Sequence, residues 1–107
     1  MNYPKFPKKP PTHAEILEEI RRYLDLAGIW HYKQWQGMGS LPGVSDIIGI
    51  YRGQYLAIEV KTGKDQLTEK QAEFLERVNL EDGIGFVARS VDDVITHFEI
   101  GKRKKSL

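Results

Sequence analysis

The chain has 107 residues, 40% of them hydrophobic and 29% charged, with a formal net charge of +1 and no cysteine. That is enough chain for one modest core; it excludes a disulfide framework and a thiolate zinc site, and it suits a cytoplasmic protein. No apolar run approaches the roughly 18 residues of a membrane span, no signal segment opens the chain, and so small a net charge argues neither for nor against a polyanionic partner.

Residues 1–11 carry four of the five prolines together with Lys5, Lys8 and Lys9, and read as an extended arm. Residues 101–107, "GKRKKSL", form a basic tail. Basic ends can hold a phosphate backbone by counterion release, and they serve equally as solvated termini. The span between them, 12–100, reads as a single domain.

The first helix is expected in "THAEILEEIRRYLDLAG". Thr12 caps it and Glu15 completes a capping box. Ile16, Leu17, Ile20, Tyr23, Leu24 and Ala27 recur at helical spacing, and Gly28 supplies the stop. "IWHYKQWQ" (29–36) reads as an aromatic strand, and "GMGSLPGVS" as a glycine-rich loop that lets another backbone approach closely. "DIIGIY" and "YLAIEVKT" read as a hairpin turning at Arg52-Gly53. A second helix over "TEKQAEFLERVNLEDG" carries a capping box of Thr68 and Gln71 and ends at Gly83. "IGFVAR" is a short buried strand. "SVDDVITHF" is a last helix capped by Ser90, with Asp92 and Asp93 in its first turn. The order αβββαβα predicts an α/β fold, a mixed four-stranded sheet flanked by helices.

Charges interrupt the third strand. Side chains alternate along it, so Leu56, Ile58 and Val60 point one way, and Tyr55, Ala57, Glu59 and Lys61 the other. With a two-residue turn at Arg52-Gly53, Tyr51 faces Gln54 and Asp46 faces Glu59. Directly opposed residues have Cβ atoms about 4.5–5.5 Å apart, close enough for two carboxylates to repel. A hard divalent cation such as Mg²⁺ between them reverses the sign of that interaction. Lys61 beside it can orient an attacking water and stabilise charge building on phosphorus. The plainer alternative is a partly exposed Glu59–Lys61 ion pair with Asp46 as a loop-end residue. A slip of one residue in register would carry Asp46 to the other face.

"GVSDIIGIYRGQYLAIEVKTGKDQLTEKQAEFLERV" followed by "GIGFVARSVDDV" resembles the VRR-NUC family of the PD-(D/E)xK nuclease superfamily. The match runs from about Thr12 to Val94. The superfamily pattern is an acid, a spacer, then acid-any-lysine, met here by Asp46 and Glu59-Val60-Lys61. The triplet alone is weak; its combination with "GVSD", "TEKQ" and "GFVARS" in order is far more specific. Ser45 stands where the superfamily has proline, which bears on local backbone shape only. The resemblance implies a restriction-endonuclease-like core and a DNA endonuclease dependent on Mg²⁺ or Mn²⁺. It also implies a stand-alone, viral or phage-like or bacterial protein similar to dimeric Holliday-junction resolvases, acting on junctions or flaps. The family adds a helix glutamate and a glutamine after the lysine strand, matched by Glu15 and Gln71.

On this reading Asp46, Glu59, the Val60 carbonyl and Glu15 are the metal ligands, with Lys61 and Gln71 completing the catalytic set. Glu15 and Gln71 are also accounted for as capping-box residues, and Glu19, one turn on, is the substitute for Glu15. Lys33, Trp35, Gln36 and Lys64 are expected at the nucleic acid, through phosphate contacts and stacking. Trp30 reads as core or dimer surface. His13, His31 and His97 lack ligand spacing and read as surface or supporting residues. Two other functions fit the same residues: a non-catalytic nucleic-acid-binding module, and an oligomeric adaptor with solvated charges.

Overall fold

The computed structural model describes residues 9–105, with side chains as far as Glu99. Lys5 and Lys8 of the predicted arm, and the side chains of the basic run after residue 100, lie outside the described residues.

Helix α1 (His13–Leu26) begins as its sequence dictates, with Thr12 and Glu15 exchanging both capping-box hydrogen bonds. Its stripe of Ile16, Leu17, Ile20 and Leu24 is buried. Gly28 takes a left-handed φ of 72°, and the Gly28 and Ile29 N–H groups donate to the Asp25 and Leu24 carbonyls. This is a Schellman closure, and it drops Ile29 into the core beside Leu24.

Strands β1 (His31–Lys33), β2 (Ile47–Tyr51), β3 (Gln54–Val60) and β4 (Ile84–Ala88) form one sheet in sequential order. The first two pairings are antiparallel. β3 and β4 are parallel, joined through α2 (Glu69–Leu80). α3 (Val91–Lys105) closes the chain. The expected order αβββαβα and the mixed sheet are borne out. Tyr51 pairs with Gln54 and Ile47 with Ile58, the expected register. The turn has positive φ at both Arg52 and Gly53, the twist-matched hairpin geometry.

The alternation along β3 is as read. Leu56, Ile58 and Val60 pack with Ile47 against α1 and α3 through Ile16, Leu17, Ile20, Leu24, Val94 and Phe98. Ala57 and Ile48 pack on the opposite face with Val44, Leu75 and Val78. The sheet is thus sandwiched between helices, and no helix among the described residues is long and apolar enough to cross a membrane.

Three local expectations are corrected. The aromatic strand spans only His31–Lys33, not 29–36: Ile29 is used by the helix closure, and beyond the Gln34 N–H, which donates to the Asp46 carbonyl, the chain leaves the sheet. Asp82, with φ 63°, is the left-handed residue that ends α2, while Gly83 N–H closes onto Val78. Gly83 is needed for space, since a Cβ there would meet the Tyr55 and Val78 carbonyls. α3 continues well past Phe98, through a run without proline.

Candidate metal and catalytic site

Asp46 sits one residue before β2, where continuation of the register sets it opposite Glu59. Its Oδ2 accepts the Val60 backbone N–H at 2.8 Å. The same oxygen lies 3.3 Å from His13 Nε2, at the first turn of α1. Three elements therefore meet at one carboxylate. The Asp46 side chain is 13% exposed, and Glu59 beside it only 3%.

Glu59 is the electrostatic anomaly of the sheet. Burial first, then the neighbouring Asp46 through hydrogen bonding and charge, push its carboxyl up to about 8, against the opposing pull of Lys61. Its Oε1 is buried with no hydrogen-bond partner, and so is the Oγ of fully buried Ser45. An orphaned acid oxygen in an apolar wall costs stability unless something pairs with it.

Lys61 continues the sheet by donating its N–H to the Ala88 carbonyl at 3.1 Å. The loop that follows is held from β4's end. Arg89 Nη1 donates to the Gly63 carbonyl at 2.8 Å, and Nη2 to that of Asp65 at 2.6 Å. The glycine-rich loop before Asp46 is pressed onto the first turn of α2. Gly43 has φ 79°, and a Cβ there would collide with the Lys70 carbonyl.

The other predicted residues are distributed around this centre. Glu15 is exposed and engaged at the cap, its Oε1 accepting the Thr12 N–H at 3.1 Å. Hydrogen bonds from Thr12, backbone before side chain, hold its carboxyl below the ordinary range. Glu19 is exposed. Among the described residues no three His, Cys, Asp or Glu side chains are grouped closely enough to hold a metal, so neither glutamate completes a triad with Asp46 and Glu59. Gln71 accepts the Thr68 N–H at 2.9 Å in its own capping box. Lys33, Gln34, Trp35 and Gln36 line one surface concavity, although the Gln36 amide already donates to the Val44 carbonyl at 2.9 Å. Lys64 is exposed in the loop braced by Arg89.

The VRR-NUC domain profile matches residues 10–92. The chain belongs to the VRR-NUC family. That membership implies a nuclease, within the general kind of PD-(D/E)xK enzymes, which are typically divalent-metal dependent. Among solved structures, one described as a VRR_NUC domain protein is 24% identical, with a TM-score of 0.68 over 85% of this chain and 88% of that one. At that identity the likeness speaks for the fold. No curated protein sequence matches the chain.

The donor set of this VRR-NUC domain fits a hard divalent cation. Two opposed carboxylates and an unpaired buried carboxyl oxygen are what such an ion relieves, and Mg²⁺ commonly takes one or two carboxylates and keeps its waters.

Spacing gave His13 only as a surface or supporting residue, with no tie to Asp46, and it gave Arg89 no role. His13 precedes Ile16 and Leu17 by three and four residues, so the sheet-facing side of α1 was readable, but not the sheet end it meets. His31 is not a surface residue: its side chain is 2% exposed and Nδ1 bonds to the Ile29 carbonyl at 2.9 Å. His97 stacks on Phe86 at 3.9 Å. Trp30 is not core; it is 62% exposed and meets Tyr32 edge-on.

Proposed function

We propose that this chain is a divalent-metal-dependent DNA endonuclease selective for branched or junction DNA. The observation that carries the reading is the opposition of Asp46 and Glu59 across β2 and β3, with Lys61 two residues further along the same strand face. Asp46 and Glu59, with the Val60 carbonyl, are the groups that would hold Mg²⁺ or Mn²⁺. When bound, the cation would supply Lewis-acid stabilisation of the phosphoryl charge. Lys61 orients the attacking water and balances the charge developing on phosphorus. Glu15 and Gln71, the remaining family-matched residues, are engaged in their capping boxes.

Selectivity for branched DNA follows from the family resemblance, with backbone contacts that read the shape of the nucleic acid rather than its bases. Lys33, Trp35 and Lys64 are the candidates for those contacts. Pairing of two copies is supported by an uncovered row on the sheet. Trp30 just before β1, Ile50 of β2 and Tyr55 of β3 form one row, exposed by 62%, 53% and 46%. α2 covers β3 and β4 but leaves this row bare. Exposed apolar clusters of this kind mark interaction surfaces.

The test incubates purified protein with single-stranded, duplex, flapped and four-way-junction DNA, with Mg²⁺, Mn²⁺ or EDTA. Cleavage is expected only with metal, strongest on branched substrates, and lost in Asp46→Ala and Lys61→Ala. Cutting that survives EDTA or either substitution would refute the mechanism. One observation favours a second reading, a non-catalytic nucleic-acid-binding module: the absence of a three-ligand cluster among the described residues. Salt-dependent binding with no cutting under any metal would establish it.

A further inference from the structure

Asp46 Oδ2 receives two groups from different elements, the Val60 N–H at 2.8 Å and His13 Nε2 at 3.3 Å. An ionised carboxylate only accepts hydrogen bonds. An imidazole carrying a proton on Nε2 donates to that oxygen. Oδ2 is thus engaged by both groups, and the same carboxylate also hydrogen-bonds with Glu59. Val60 N–H fixes the carboxylate within the hairpin. His13 ties it to α1, whose Ile16 and Leu17 are buried against the same sheet. Glu15 is committed to the cap, whereas the His13 side chain reaches Asp46.

We infer that His13 is a positioning residue. Its Nε2 contact holds Asp46 in one orientation toward the divalent cation shared with Glu59. The inference rests on the metal-dependent reading above and deepens it. His13 does not touch the ion; it acts through Asp46, as groups bonded to ligating side chains commonly do.

Manganese titrated calorimetrically into the wild-type, His13→Ala and His13→Gln proteins, well below their unfolding temperatures, tests it. Loss of the donor is expected to weaken Mn²⁺ binding about tenfold in His13→Ala. His13→Gln, which restores an amide N–H of similar reach, should recover most of that loss. A purely structural histidine would lower Tm and leave the affinity alone. His13→Ala binding within about twofold of wild type, or His13→Gln as weak as His13→Ala, overturns the inference while the metal reading stands. A wild-type protein that binds no Mn²⁺ overturns the metal reading and this inference with it. Electron spin-echo spectra of the Mn²⁺ protein should lack the nitrogen coupling of a directly bound imidazole. Its presence would make His13 a ligand and overturn the positioning role.

Discussion

Two carboxylates side by side in an apolar wall cannot both be ionised cheaply, and Glu59 is the one that yields. Its carboxyl is raised from 4.5 to about 8, mainly by burial and then by Asp46. Between those values the folded protein holds a proton that the unfolded chain has released. Its contribution to stability is therefore present at acid pH, declines as pH rises through that window, and levels off above about 8. The Tm of metal-free protein should accordingly fall as buffers are changed from about pH 5 to about pH 8, and Glu59→Gln should remove most of that slope. A divalent cation competes with the same proton. Metal affinity followed by calorimetry should therefore climb with pH up to about 8, with proton release on binding, and lose that dependence in Glu59→Gln.

The elements around the site are held by two contacts that leave little slack. Gly43 combines left-handed backbone with the close approach of the Lys70 carbonyl. Gly43→Ala should cost about 1–3 kcal/mol of stability, read from the urea midpoint, because strain and collision act together. Arg89 bridges β4 to the loop after Lys61 through the Gly63 and Asp65 carbonyls. Arg89→Ala removes both charge-assisted hydrogen bonds. It should cost about 1–2 kcal/mol and raise amide exchange in residues 62–66 well beyond that of α1. If Lys61 depends on this loop for its placement, DNA cleavage by the same variant should fall in kcat more than in KM.

At the scale of the whole molecule, the sheet is covered on one side by α1 and α3 and only partly on the other by α2. Helix coverage hides Ala57 and Ile48 but leaves Trp30, Ile50 and Tyr55 in solvent. If two copies pair through this row, wild-type protein should scatter light as a dimer at micromolar concentration. Ile50→Asp, which sets a charge in the middle of the row, should scatter as a folded monomer with an unchanged circular dichroism spectrum. Symmetric cutting of a four-way junction needs two sites on one particle, so the same variant should lose paired incisions while still nicking flaps.

What the chain determined by itself was local and periodic. Both capping boxes were legible because Thr12 with Glu15, and Thr68 with Gln71, sit at fixed spacing and bond within one turn. The Arg52-Gly53 turn set the hairpin register, and with it the opposition of Asp46 to Glu59, because antiparallel pairing leaves no freedom once the turn is known. Tertiary structure decided whatever depends on non-local approach. The length of β1 followed from the competition between helix closure at Ile29 and sheet pairing at His31. The meeting of His13 with Asp46, 33 residues apart, followed from how α1 lies across the sheet. The proton affinity of Glu59 followed from packing that closes over it. Spacing specifies which face a side chain takes, but the distance between faces of separate elements is set only when their apolar stripes are packed together.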